Sequence, residues 1–85
     1  MEKYRILIKP SASKELDSIP KKDLKRIVKR IQNLSEIPRP QGWEKLSGED
    51  RYRVRQGPYR IVYSIDGKSH EVLVVKIGHR REVYR

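Results

Sequence analysis

Leu24, Ile27, Val28, Ile31 and Leu34 recur at i, i+3, i+4, i+7 and i+10. That spacing places all five on one stripe and predicts a helix from about Lys21 to Leu34 with a single face to bury. A helix this amphipathic needs a partner surface, and the rest of the chain offers strands. Tyr4, Ile6 and Ile8 alternate with Arg5, Leu7 and Lys9, which reads as a first strand ended by Pro10. Ser11 or Ser13 can cap a short helix that Pro20 closes, with Ala12, Leu16 and Ile19 on one face. Beyond the long helix, Ile37-Pro38-Arg39-Pro40-Gln41-Gly42 carries two prolines and reads as a loop, with Trp43 and Leu46 plugging back onto the core. Strand patterns follow over residues 52–55, 59–65 and 71–77, separated by Gln56-Gly57-Pro58 and Asp66-Gly67-Lys68. The order β-α-α-β-β-β predicts an α+β domain: two N-terminal helices packed on a four-stranded, mostly antiparallel sheet.

With 85 residues this is one domain, residues 1–85, and its core is thin. It has no Cys, so disulfides, thiol catalysis and Cys-based zinc sites are excluded. No apolar run reaches the roughly 18–20 residues that span a bilayer. Met1-Glu2-Lys3-Tyr4-Arg5 leads into no apolar signal segment, so the expected location is cytoplasmic. Lys and Arg number 21 against 11 Asp and Glu, a net charge of +10. Such a field concentrates polyanions. Part of it lies on the long helix, where Lys21, Lys22, Lys25, Arg26, Lys29 and Arg30 read as a solvated surface able to steer RNA at long range.

The charge with chemical content lies further on. In Arg51-Tyr52-Arg53-Val54-Arg55 the arginines share one strand face, spaced roughly 6.6 Å apart. Arg60 opposes Tyr59, Ile61 and Tyr63 in the next strand. If Tyr52, Val54, Tyr59 and Ile61 face the helices, then Arg53, Arg55 and Arg60 crowd an exposed sheet face, with no acid among residues 51–65. A bound polyanion would relieve their repulsion, and the guanidinium fork matches phosphate oxygens two at a time. The C-terminal run adds Lys76, His79, Arg80, Arg81 and Tyr84. His79 can both take and give a proton near neutrality, and Tyr84 offers a ring to stack on a base. If the tail folds back along the sheet, His79, Arg80 and Tyr84 join Arg53, Arg55 and Arg60 in a site fit for metal-free RNA cleavage, with Arg51, Lys76 and Arg81 as further substrate-binding cations. No His, Asp and Glu cluster has ligand spacing, and there is no P-loop or G-x-G-x-x-G, so neither metal nor cofactor is implied.

Leu46-Ser47-Gly48, Tyr52-Arg53-Val54-Arg55, Tyr59-Arg60-Ile61-Val62-Tyr63 and Val75-Lys76-Ile77-Gly78-His79-Arg80-Arg81-Glu82-Val83-Tyr84 together closely resemble the RelE/ParE superfamily of bacterial and archaeal toxins. The resemblance covers nearly the whole chain. It implies a toxin of a type II toxin–antitoxin system, neutralised by an acidic antitoxin. For the RelE branch it further implies a ribosome-dependent endoribonuclease that cuts mRNA without metal, the 2′-OH attacking the adjacent phosphate. By position, Arg53 and Arg55 fall where such toxins carry basic residues, one a proposed general base. Arg60 falls on a phosphate-contacting arginine, Arg80 on an arginine that stabilises the transition state, and Tyr84 on the tyrosine that stacks on or orients the substrate. The best-known member has lysine at the first two positions, and Arg is a poor base. His79 is therefore expected to take the proton. The alternatives are a gyrase-poisoning toxin of the ParE branch and a basic RNA-binding module without catalysis.

Overall fold

The computed structural model describes residues 3–46 and 51–79. Its elements run β1 (Arg5–Ile8), α1 (Pro10–Asp17), α2 (Lys21–Asn33), β2 (Glu44–Lys45), β3 (Tyr52–Gln56), β4 (Tyr59–Asp66) and β5 (Glu71–His79). The described strands form one sheet ordered β1-β5-β4-β3-β2. β1 pairs β5 in parallel, and the other pairs are antiparallel. The sheet is thus five-stranded and mixed, where four strands were expected. The added strand, β2, has two residues and no apolar alternation for a sequence pattern to register.

Pro10 ends the strand, as expected, and also opens α1 as its first residue, where a missing N–H costs nothing and φ is already helical. The N-cap is Lys9, without a side-chain cap bond, so neither Ser11 nor Ser13 plays that part. In α2 the buried stripe is Ile27 and Ile31, continued by the C-cap Leu34, with Leu24 at its border. Val28 is 36% exposed. At 3.6 residues per turn Val28 lies about 100° round from Ile27, outside the arc that meets the sheet. Trp43 packs edge-on to Tyr52, ring centroids 5.5 Å apart, but stays 38% exposed. It rims the core without plugging it, and Leu46 is likewise outside the buried cluster.

That core lies between the helices and one sheet face: Ala12, Ile19, Ile27, Ile31 and Leu34 against Tyr52, Val54, Ile61, Tyr63, Val72, Val74 and Ile77. Tyr63 is fully buried, and its hydroxyl donates to the Pro38 carbonyl at 2.7 Å, tying the proline-rich loop to β4. Burial pushes the Tyr63 phenol up to about 12, although the charges of Arg30 and Arg39 pull the other way. In β5 the apolar phase changes between Val74 and Ile77. The register slips accordingly: Val62 faces Lys76, but Tyr63 faces Val74, leaving Val75 as the extra residue of a bulge. Ile77 therefore returns to the core face, and Lys76 and Gly78 take the other.

Candidate functional site

Directly opposed residues of an antiparallel pair project to the same face. The register sets Glu44 opposite Arg53, and Arg55 opposite Arg60. All four therefore lie on the sheet face away from the core, where alternation along β3 and β4 was expected to send the three arginines. They line one hollow of about 300 Å³ together with Arg30 of α2 and Gly42 of the preceding loop. Gly42 has φ +90, a left-handed conformation that glycine adopts without strain.

The hollow is less open than the exposed arginine face expected. Arg60 is 3% exposed, the one buried charged side chain among the described residues, and its Nη1 lies 3.5 Å from the Tyr59 carbonyl. The Arg53 side chain is 13% exposed and donates from Nη2 to Glu44 Oε2 at 2.8 Å. Arg55 remains exposed. The segment 51–65 indeed contains no acid, but β2 brings one in from outside it. Four guanidiniums and one carboxylate give the lining side chains a net charge of 4 − 1 = +3. With Arg53 and Arg60 largely buried, this lining attracts an anion.

The remaining expected site residues do not gather there. Arg51 is exposed and outside the lining, its carbonyl accepting from the Leu46 N–H at 2.9 Å. Lys76 points its Nζ at Glu15 Oε2, 3.4 Å away, while Glu15 Oε1 accepts the Ile77 N–H at 2.9 Å. His79 pairs with Tyr59, ring centroids 6.0 Å apart, and both border a separate hollow with Glu15, Ser18 and Ile77. Tyr59 packs against the core cluster, so its partner His79 also faces the helices. The bulge is the reason. A regular ladder through β5 would have put residue 79 on the same side as Arg60; the extra Val75 inverts that phase. Arg80, Arg81 and Tyr84 lie outside the described residues. Among the described residues no group of three His, Asp or Glu side chains could hold a metal ion, and no helix is long and apolar enough to cross a membrane.

Two lining side chains were not foreseen. Glu44 lies in a strand too short to show a period. Arg30 looked like one more cation of a solvated helix, yet it is half-buried where Lys25, Arg26 and Lys29 are exposed. It lies about 60° round from Ile27, at the border of the apolar stripe, which is the signal that could have singled it out. Arg30 Nη2 donates to the Gln41 carbonyl at a long 3.4 Å, and its buried Nε has no partner.

A family model described as the ParE toxin of the type II toxin–antitoxin system parDE matches residues 6–84. The chain belongs to this RelE/ParE toxin family of type II toxin–antitoxin systems. It is 28% identical over 86 residues to toxin RelG of Mycobacterium tuberculosis, covering 96% of this chain and 97% of that protein. Among solved structures it resembles the archaeal RelE–RelB complex of Pyrococcus horikoshii OT3, with TM-score 0.83 and 32% identity over 92% of this chain and 96% of that one. It also resembles the isolated Escherichia coli RelE toxin, with TM-score 0.79 and 28% identity over 95% and 90% of the two chains.

Proposed function

We propose that this toxin is an endoribonuclease of the RelE type, cutting mRNA on the ribosome and held inactive by an acidic RelB-like antitoxin. The observation that carries the reading is the hollow where, among the described residues, Arg53, Arg55 and Arg60 converge with Glu44. Its size, about 300 Å³, is at the small end of ligand pockets and suits one phosphate with its sugar. An RNA presented in extended form by a ribosome meets that requirement better than a folded one.

The chemistry follows from the side chains. Among the described lining side chains Glu44 is the one with lone pairs to take a proton, since guanidinium has none. Its carboxylate removes the 2′-OH proton, the resulting oxygen attacks the adjacent phosphorus, and the bond from phosphorus to the 5′ oxygen breaks. The products are a 2′,3′-cyclic phosphate and a 5′-hydroxyl, the latter taking its proton from water or from a group of the C-terminal run. Arg53, Arg55 and Arg60 balance the charge of the pentacoordinate phosphorane, so the scheme calls for no metal. By their resemblance, Arg80 and Tyr84 would add charge and base stacking. His79, on the other face, is left without a part in proton transfer. Relatives solved as RelE–RelB complexes support the antitoxin, and a +10 chain favours an acidic partner.

The family model's ParE description favours a second reading, a gyrase inhibitor. Incubating the toxin with mRNA-programmed ribosomes separates the two. RNA cleavage is expected to yield fragments with 5′-hydroxyl and 2′,3′-cyclic phosphate ends. Intact mRNA alongside gyrase-dependent DNA breaks would reverse the assignment.

A further inference from the structure

Arg30 borders two hollows. One is the arginine hollow of the sheet; the other, about 210 Å³, is walled by Arg26, Lys29, Asn33 and Gln56. We infer that this adjoining hollow is a subsite for a flanking phosphate of single-stranded RNA, with Arg30 as the bridge between it and the scissile linkage. The inference rests on the RNA-cleaving reading and adds to it a second contact along the strand.

Three observations carry it. Its charged lining residues are all cations: Arg26, Lys29 and Arg30, with the neutral amides of Asn33 and Gln56. Amides can hydrogen-bond sugar, phosphate or base edges without opposing an anion. Second, Arg30 is poorly held. A guanidinium has five donors, yet its buried Nε meets no acceptor and its Nη2 contact is 3.4 Å long. A buried unsatisfied donor is costly, and a phosphate oxygen is the acceptor the surroundings favour. With so little fixing it, the side chain can turn toward a ligand at small cost. Third, consecutive phosphates in a strand are separated by only one nucleotide, so a strand seated in the sheet hollow continues directly past Arg30. Arg26 and Lys29 are exposed and ready to meet it.

The test is the salt dependence of binding to a fluorescent mixed-sequence RNA decamer, read by anisotropy. Arg26→Gln with Lys29→Gln is expected to flatten the slope of log K against log salt by about 0.7, the value for one lost single-strand phosphate contact. Lys21→Gln with Lys68→Gln removes the same charge at exposed positions outside both hollows and is expected to leave the slope unchanged. Arg30→Lys keeps the charge but loses the fork. It should keep the slope within about 0.3 while weakening binding several-fold. A dinucleotide, too short to occupy both hollows, should not distinguish the Arg26/Lys29 variant from the wild-type protein. Equal flattening by the two double variants would overturn the inference and leave the ribonuclease reading standing. A wild-type protein that binds no RNA would overturn it too, whereas the ribonuclease reading falls only if mRNA on programmed ribosomes stays intact.

Discussion

Glu44 and Arg53 form the contact on which the proposed chemistry turns. Their 2.8 Å bond orients the carboxylate and keeps Arg53 folded into the hollow, so the two act as one unit. Replacing Glu44 with Gln keeps the shape and removes the base. Cleavage on programmed ribosomes should fall by about 10²–10⁴-fold, the span usual for general bases, while RNA binding is kept or tightened as a negative charge leaves. Cleavage within a few-fold of wild type would remove Glu44 from proton transfer. For His79→Ala the expected result is the opposite: near-full cleavage, because its ring lies across the sheet from Arg60. Tyr63 makes a separate prediction at high pH. Its phenol sits at about 12 in the folded chain and near 10 when unfolded, so the folded state holds the proton more tightly between these values. The associated stability is intact below about pH 10 and is lost as pH rises toward 12, about 2–3 kcal/mol in all. Urea titrations at pH 9 and pH 11.5 should record that fall. In Tyr63→Phe the pH dependence should be largely gone, together with the bond to the Pro38 carbonyl.

Among elements, α2 was the easiest to read from sequence, since five apolar residues on one stripe leave few alternatives. Its energetics should follow the structure more closely than the pattern. Ile27→Ala opens a void at a fully buried position and should cost about 2–5 kcal/mol in chemical denaturation, while Val28→Ala, at the exposed border, should cost well under half of that. The strands were legible because β3 alternates cleanly and β4 does so apart from Val62, and this also set which face carries Arg53, Arg55 and Arg60. Two features escaped for physical reasons. β2 is two residues long, and its pairing is decided by the neighbouring strand, not by its own pattern. The bulge in β5 shows in sequence only as Val74-Val75 beside Ile77, which a regular strand reading passes over. That one extra residue decides the side of the sheet on which His79 lies, so the position of His79 was less legible than those of Arg53, Arg55 and Arg60.

For the molecule as a whole, the charge excess and the fold are linked through the sheet face away from the helices. The helices cover one side, and the other keeps an arginine hollow that a chain of net charge +10 must leave accessible to an anion or else cover with one. Free toxin should therefore bind single-stranded RNA with steep salt dependence. Two phosphate contacts, one in each hollow, predict a slope near −1.4, about 7-fold weaker binding for a fourfold rise in salt. An acidic antitoxin segment should suppress this binding by competition. The most direct test of the account is a map of RNA 5′ ends in cells expressing either the wild-type toxin or Arg55→Gln, a substitution at an exposed site that leaves the core untouched. New 5′ ends within translated reading frames, present for wild type and lost for Arg55→Gln, are the predicted result. The account is contradicted if wild type arrests growth with no new ends, or if Arg55→Gln cuts as well as wild type.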